Sequence, residues 1–271
     1  MNFFEKIVYF LDAKMLEPQL YGWFHILFAF LTIILAIVLC VCFKNCSKKT
    51  FKKIVLIFWI IILILEIYKQ LVFSFSYEHG EVVWDYQWYA FPLQLCSSPL
   101  YFLPIVAFCK DGKVKDSAMA FTSTFSLFGG LVVMFYPGDV FIETIGVNIQ
   151  TMIHHGLHVV LGIFFTIYNR KKLSNKFLFK SFISGAIYFG IVIFSNCIMP
   201  LIVNETFNMM YISPYINSEM PIISDIYSAL PYPIFLIIYA ICYVTVAALL
   251  FYVQYYLIKY FENKKLKREN K

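Results

Sequence analysis

The chain has 271 residues, of which 61% are hydrophobic, 20% aromatic and only 14% charged, with a formal net charge of +6. A soluble domain carries roughly 25% charged residues, so a water-soluble globular fold is excluded, as are the disordered, collagen-like and disulfide-scaffold classes. The composition indicates a polytopic membrane protein.

Seven apolar stretches are long enough to cross a bilayer, for which a helix needs about 20 residues. They run approximately over 22–43, 54–76, 91–109, 118–136, 147–168, 181–203 and 234–258. Membrane-spanning strands are not expected, because the stretches are too long and lack two-residue alternation. We therefore predict an all-α membrane protein, a bundle of seven transmembrane helices that forms one polytopic domain over residues 1–271.

The N-terminal segment is predicted to lie on the membrane. Charged residues interrupt it and no small-residue cleavage site follows, so a signal peptide is not expected. Apolar side chains recur every four residues at Phe3, Ile7, Leu11 and Met15, which is typical of a surface-bound helix. Residues 1–20 are therefore an interfacial segment or, as the alternative, a frayed terminus.

The first two predicted helices carry ionisable side chains, which are costly in hydrocarbon and therefore candidates for function. His25 lies about one turn inside the first helix, where the alternative is an ordinary interfacial histidine. Glu66, Lys69 and Gln70 share one face of the second helix, because their spacings are three and four residues. An ion pair that only neutralises Glu66 and Lys69 is the alternative to a functional role.

The third predicted helix begins with Pro92-Leu93-Gln94-Leu95-Cys96-Ser97 and also contains Pro99 and Pro104, which should bend it. Cys96 then lies about one turn inside the membrane. A cysteine in an apolar helix is usually an inert small residue. It becomes a nucleophile only beside a base or a cation.

The fifth predicted helix carries the densest polar pattern in the chain. At about 100° per residue, its polar side chains fall within one arc of about 160°. These residues are Asn148, Gln150, Thr151, His154, His155 and His158. The arc should face the bundle interior, either as a functional site or as a hydrogen-bond network between helices.

Two further features concern packing. Gly129-Gly130 permits a close helix contact in the fourth helix, which ends at Pro137-Gly138-Asp139. The longest predicted loop, 204–233, is rich in proline and carries apolar residues that include Met209 and Ile212. We expect this loop to fold back over the bundle.

Positive charge is concentrated on one side of the predicted bundle. Nineteen of the 22 Lys and Arg residues lie in the 44–53, 110–117 and 169–180 loops and in the segment from Lys259 onward. The positive-inside rule makes this side cytoplasmic, with the N-terminus outside and the C-terminus in the cytoplasm. The basic fringe should attract anionic lipid headgroups, and it does not indicate a nucleic-acid partner.

With this orientation, five candidate side chains fall in the outer half of the membrane, and Glu66 lies near mid-depth. They are His25, Lys69, Cys96, His154 and His155. Their shared depth predicts a polar cavity that opens toward the outer leaflet.

Several short motifs, in order along nearly the whole chain, resemble the YwaF-like integral membrane proteins of Gram-positive bacteria. The run that contains Cys96 resembles their LPLQLCS signature. His155-Gly156-Leu157 is similar to their Ser-His-Gly-Leu, with His154 in place of the Ser. Pro137-Gly138-Asp139 resembles their Thr-Pro-Asp, with Gly138 inserted and Tyr136 in place of the Thr. Further matches are His25, Asn208-Met209-Met210-Tyr211 and Pro231-Tyr232-Pro233.

The YwaF-like family is in turn similar to a eukaryotic group of transmembrane acyltransferases that act on ether phospholipids with a Cys and a His. The resemblance implies that Cys96 is the nucleophile and His155 its base, in a bacterial plasma-membrane protein that transfers or hydrolyses phospholipid acyl chains. The residues expected to support them are His25, Glu66, Lys69, Gln94, Asp139, His154, His158 and Asn208. Membrane lipids are the expected partners, and no cofactor or metal is expected.

Two other functional classes stay open. A non-enzymatic carrier or a proton-coupled membrane protein also places His, Glu and Lys inside a bundle, although no internal repeat is visible here. A metal-dependent membrane hydrolase would use His154 and His158, which are four residues apart. His25, Glu66 or Asp139 would then complete its ligand set.

Overall fold

The computed structural model describes residues 2–78, 81–203, 206–218, 220 and 222–269. Its helices are α1 (Phe3–Leu11), α2 (Trp23–Phe43), α3 (Lys48–Val72), α4 (Pro99–Phe108), α5 (Lys113–Phe121), α6 (Leu127–Phe135), α7 (Ile145–Tyr168), α8 (Asn175–Val203), α9 (Ile223–Ala229) and α10 (Tyr232–Glu269). Strands β1 (Phe75–Glu78) and β2 (Glu81–Trp84) pair in an antiparallel hairpin. A π-helical turn, Thr122–Ser126, joins α5 to α6.

Six helices among the described residues are long and apolar enough to cross a membrane. They are α2, α3, α7, α8, α10 and the continuous helix Lys113–Phe135, which consists of α5, the π-helical turn and α6. The predicted all-α, multi-pass membrane fold is therefore confirmed. The structure differs from the prediction at one of the seven expected spanning segments, residues 91–109.

The segment predicted as a helix over 91–109 does not form one continuous α-helix. It contains a 3-10 turn at Leu95–Ser97, followed by α4, which has only ten residues. Pro99 occupies the first turn of α4, where a missing backbone N–H costs no hydrogen bond. The residues before Pro99 are not part of this α-helix. The backbone carbonyl of Cys96 contacts helix α7 there.

The hairpin was not predicted. The second predicted helix was expected to continue to residue 76, whereas α3 ends at Val72 and β1 begins at Phe75. Aromatic and β-branched side chains favour a pleated backbone there, and Phe75 pairs with Trp84 in register. The rings of these two residues lie edge to face, with centroids 5.4 Å apart.

Helix α7 lies at the centre of the bundle. Within its most apolar 18 residues, 78% are buried, compared with 11–22% in α2, α3, α8 and α10. It packs against α2, α3 and α6 and against the π-helical turn. The polar arc thus faces the bundle interior, as predicted, and the helix that carries it is surrounded by the others.

The two ends of the bundle differ in charge. The basic end comprises residues 44–53, 109–117, 169–180 and 259–269, and ion pairs join its segments. Examples are Lys48–Asp111 at 2.6 Å, Lys180–Asp116 at 2.6 Å and Arg170–Glu262 at 3.5 Å. The opposite end, here called the hairpin end, comprises 2–21, 73–78, 81–90 and 136–144. Near it, Tyr68 donates a hydrogen bond to the Leu11 carbonyl.

The long loop after α8 folds back over the bundle, which confirms the expectation from its apolar residues. Phe207, Met209 and Ile212 are fully buried. They pack with residues of α8 and α10 in one apolar cluster. The stretch from Phe207 to Ile212 therefore forms part of the core.

Candidate functional site

Three histidines form a compact group on the central helix. The ring centroids of His154 and His158 lie 5.0 Å apart, and His155 lies 5.6 and 5.9 Å from them. All three side chains are buried, at 2, 0 and 7% exposure for His154, His158 and His155. The group lies where the predicted polar arc placed it.

Backbone carbonyl groups fix the tautomers of His154 and His155. His154 Nε2 donates to the Cys96 carbonyl at 2.7 Å, and His155 Nδ1 donates to the Thr151 carbonyl at 2.7 Å. A carbonyl oxygen can only accept, so these nitrogens carry the hydrogen and the opposite nitrogens, His154 Nδ1 and His155 Nε2, hold a lone pair when the ring is neutral. Each ring therefore presents one basic nitrogen.

His158 is fixed in the same way by the π-helical turn. Its Nδ1 donates to the Ser126 carbonyl at 3.1 Å and also lies 2.9 Å from the Ser126 hydroxyl oxygen. The close approach requires Gly130, because a Cβ at that position would lie 2.5 Å from the Cβ of His158. Gly130 thus permits the packing that the sequence predicted, and Ser126 makes a contact between helices at the same place.

Cys96 reaches this group through its backbone. Its carbonyl accepts the hydrogen bond from His154, and its side chain is partly exposed. Among the described residues, no hydrogen bond joins the Cys96 thiol to any of the three imidazoles. The structure thus brings Cys96 to the histidines, and the pairing of its thiol with His155 stays a prediction.

The predicted ion pair on α3 is present. Lys69 Nζ lies 2.8 Å from Glu66 Oε1, and Gln70 donates to the same oxygen at 2.7 Å. Both charged side chains are largely buried, at 14% exposure for Lys69 and 6% for Glu66. The Lys69 charge lies within electrostatic range of Cys96 and of His155. The pair is therefore close to the histidine group.

Buried polar atoms without hydrogen-bond partners gather around Cys96. Within the described part of the chain, five of the seven such side-chain atoms are Glu66 Oε2, Ser97 Oγ, Ser98 Oγ, His154 Nδ1 and His158 Nε2. Each unmade hydrogen bond costs about 1–3 kcal/mol, so native proteins seldom tolerate several in one place without water or a ligand. The concentration marks this region as a site for a polar occupant.

Gln94 and Asn208, predicted as supporting residues, are engaged in holding the long loop. Gln94 Oε1 accepts from the Met210 amide at 2.7 Å, and its Nε2 donates to the Asn208 carbonyl at 3.3 Å. Asn208 Oδ1 accepts from the Ser213 amide at 2.9 Å. The Gln94 side chain therefore positions the segment that precedes Cys96 against the loop, whereas the Asn208 side chain bonds within the loop.

His25 joins two elements at the hairpin end. Its Nδ1 accepts from the Tyr21 amide at 3.1 Å, and its Nε2 donates to the Met134 carbonyl at 2.8 Å. Both ring nitrogens are thus occupied, and the functional role of His25 stays a prediction. Asp139 belongs to the 3-10 turn Gly138–Val140, and its side chain lies outside the described part of the structure.

A metal centre does not form among the described residues. No group of three or more His, Cys, Asp or Glu side chains is placed there to hold one ion. An apolar cavity of about 140 Å³ lies beside Leu95, between α5, α8 and α10, with Tyr188, Met210 and Tyr243 in its wall. The polar group around Cys96 therefore borders apolar space.

The family model described as the TMEM164 family matches residues 20–255. The matched range includes α2 to α8, the long loop and most of α10, and so every element that carries the site. No curated protein and no solved structure matches the chain. The chain belongs to the TMEM164 family and is a multi-pass membrane protein.

Proposed function

We propose that this protein transfers or hydrolyses fatty acyl chains of phospholipids, with Cys96 as nucleophile and His155 as general base. The observation that carries the proposal is the hydrogen bond from His155 Nδ1 to the Thr151 carbonyl, which leaves Nε2 free to accept a proton. Among the described residues, His155 Nε2 makes no hydrogen bond. The resemblance to the YwaF-like proteins adds support for the same two residues.

In the first half-reaction, His155 Nε2 takes the proton from the Cys96 thiol as the sulfur attacks the ester carbonyl carbon. The tetrahedral intermediate collapses, the carbon–oxygen ester bond breaks, and the leaving alkoxide of the lysolipid takes the proton from the imidazolium. The product is a thioester on Cys96. In the second half-reaction, a lysolipid hydroxyl or water gives its proton to His155 and attacks the thioester, which restores the thiol.

Donors for the oxyanion are available beside the nucleophile. Ser97 and Ser98 follow Cys96 directly, and their hydroxyl groups are buried without partners among the described residues. Lys69 supplies a positive charge nearby, although Glu66 already pairs with it. Donors that are fixed before the reaction stabilise developing charge without reorganisation. The serine hydroxyls are therefore the first candidates for the oxyanion hole.

The test is intact mass spectrometry of protein purified with its native lipids. We expect wild type to carry an acyl-sized mass that hydroxylamine removes, and Cys96→Ala and His155→Ala to show the bare mass. Cys197→Ala is the matched control, because Cys197 is a partly exposed cysteine on α8 that the mechanism does not use. It should keep the adduct. A wild-type protein that stays bare when fed phospholipids would remove the thioester mechanism.

A second candidate function is a proton path. His154 and His158 each hold a buried lone pair without a partner among the described residues, and their ring centroids are 5.0 Å apart. Neighbouring imidazoles of this kind relay protons in membrane proteins. Proton flux in proteoliposomes that is lost in His155→Ala and unchanged in Cys96→Ala would favour this function over acyl transfer.

We also propose that the basic end faces the cytoplasm of a bacterial plasma membrane, with the hairpin end outside. The support is that four basic segments lie at one end of the bundle. By the positive-inside rule, loops rich in lysine and arginine stay on the cytoplasmic side. The site around Cys96 would then receive lipid from the outer leaflet.

A further inference from the structure

A second apolar space lies on the side of the bundle formed by α4, α5 and α8, and Phe91 and Leu93, which precede Cys96, also line it. It is a groove of about 750 Å³ between α4, α5 and α8. Its walls include Phe102 and Ile105 of α4, Ser117 of α5, and Ile187 and Tyr188 of α8. The volume is within the range of about 300–1,000 Å³ that small-molecule sites occupy.

The groove opens toward the side of the bundle that lipid would cover. On α8, Ile183, Ile187 and Ile191 line it and are 44, 62 and 49% exposed. From Ile183 to Ile191 the helix rises about 12 Å, which is close to the half-thickness of a hydrocarbon core of about 30 Å. An acyl chain that enters from one leaflet would therefore fit along its length.

Lys113 stands at the basic end of the groove and is exposed. Four neighbouring lysines already have carboxylate partners, because Lys48 and Lys115 pair with Asp111, and Lys172 and Lys180 pair with Asp116. The two carboxylates offset only half of this positive charge. In the part of the chain that the structure describes, no carboxylate pairs with Lys113. The mouth of an apolar groove thus carries an unneutralised positive charge.

We propose that this groove binds an anionic phospholipid, with one acyl chain between α4 and α8 and the headgroup phosphate at Lys113. The charge selects an anionic over a zwitterionic headgroup, and the apolar walls hold the chain. The lipid binds as a structural partner, with its headgroup at the basic end of the bundle. Its binding can be tested apart from acyl transfer at Cys96, because Lys113 and Ile187 are not residues of the proposed catalytic group.

The test is native mass spectrometry of the intact protein in detergent, titrated with phosphatidylglycerol or with phosphatidylcholine of the same chains. We expect one phosphatidylglycerol to be retained more tightly than phosphatidylcholine. A lysine near a membrane surface contributes enough to change anionic-lipid affinity about fivefold, so Lys113→Gln should weaken phosphatidylglycerol binding by that factor. Lys171→Gln is the matched control, because Lys171 is exposed at the basic end and does not line the groove.

A second pair of variants tests the chain site. Ile187→Trp should obstruct the groove and remove the retained lipid, whereas Ile202→Trp lies on the same helix at 69% exposure, outside the groove, and should keep it. Equal affinity for the two lipids, or equal affinity of Lys113→Gln and Lys171→Gln for phosphatidylglycerol, would overturn the proposal. Retention of lipid by Ile187→Trp at wild-type affinity would overturn it as well.

Discussion

Gly130 fixes the distance between α6 and the histidines of α7. A Cβ at this position would lie 2.5 Å from the Cβ of His158 and 2.8 Å from the His155 carbonyl oxygen. We therefore expect Gly130→Ala to lower the free energy of unfolding by about 1–3 kcal/mol, which is the usual cost of overpacking. The measurement is the Tm of the purified protein in detergent.

Gly190→Ala on α8 is the matched control for this prediction. A Cβ there meets nothing within 4 Å, so the substitution adds no clash. It should leave Tm unchanged or raise it slightly, because alanine favours a helix over glycine by about 1 kcal/mol. If both variants lost the same amount of Tm, the clash with His158 would not be the cause of the loss in Gly130→Ala.

The sequence predicted which histidines gather and could not predict what holds them. Helical spacing alone places His154, His155 and His158 on one arc. Their partners are mainly backbone carbonyl groups, and one of these, at Cys96, is presented by an irregular segment. A carbonyl carries no signal in the side-chain sequence, so the tautomers and the pairing of Ser126 with His158 required the structure.

Helix α8 holds the long loop through one side chain. Asn196 is fully buried, its Nδ2 donates to the Met209 carbonyl at 2.8 Å, and its Oδ1 accepts from the Met209 amide at 2.8 Å. Asn196→Leu removes both bonds and leaves two buried backbone groups unpaired, at a cost of about 1–3 kcal/mol each. We expect faster proteolysis within residues 206–218.

The neighbouring substitution Cys197→Ala serves as the control for loop release. Cys197 is on the same turn of α8 and is partly exposed, and it makes no hydrogen bond to the loop among the described residues. The loop of Cys197→Ala should be cleaved at the same rate as that of wild type. Wild-type cleavage of Asn196→Leu would show that the apolar residues hold the loop without the amide.

Long helices were the most predictable elements, because about 20 apolar residues in a row leave no other structure in a bilayer. The segment that carries Cys96 was less predictable. Its composition is as apolar as that of its neighbours, and whether Pro99 bends a helix or begins one depends on the packing around it. The hairpin was missed because two four-residue strands are short beside the helix that precedes them.

The basic end should lose stability in acid. Hydrogen bonds from Lys48 and Lys115 lower the pKa of Asp111 from 3.8 to about 2. A carboxyl whose pKa is lower in the folded state stabilises the fold above its unfolded pKa, and this contribution disappears as pH falls through the folded pKa. The loss should therefore occur between about pH 4 and pH 2. Because Asp111 is 55% exposed, the effect should be small and should weaken in salt.

Comparison of wild type with Asp111→Asn tests this ion pair. The difference in Tm should be present at pH 6, smaller at pH 3 and smaller again at high ionic strength. Asp225→Asn is the control, because Asp225 is exposed in the first turn of α9 and forms no ion pair among the described residues. A difference in Tm that does not depend on pH would contradict the assignment.

The orientation of the bundle can be measured with an impermeant maleimide. Glu17 is exposed at the hairpin end and Lys171 at the basic end. If the basic end is cytoplasmic, intact cells should label Glu17→Cys, and Lys171→Cys should label only after permeabilisation. The parent chain supplies the background from its native cysteines. The reverse pattern of labelling would invert the topology and place the site around Cys96 in the inner leaflet.

The central position of α7 has a consequence for how the protein is made. This helix has the lowest hydropathy of the six that are long enough to span, and its polar arc would face lipid if it entered the bilayer alone. The more apolar α2 and α3 precede it and can insert first. Biogenesis of this protein should therefore require the translocon to retain α7 until its neighbours have assembled, so that the segment with the site is integrated by its partners.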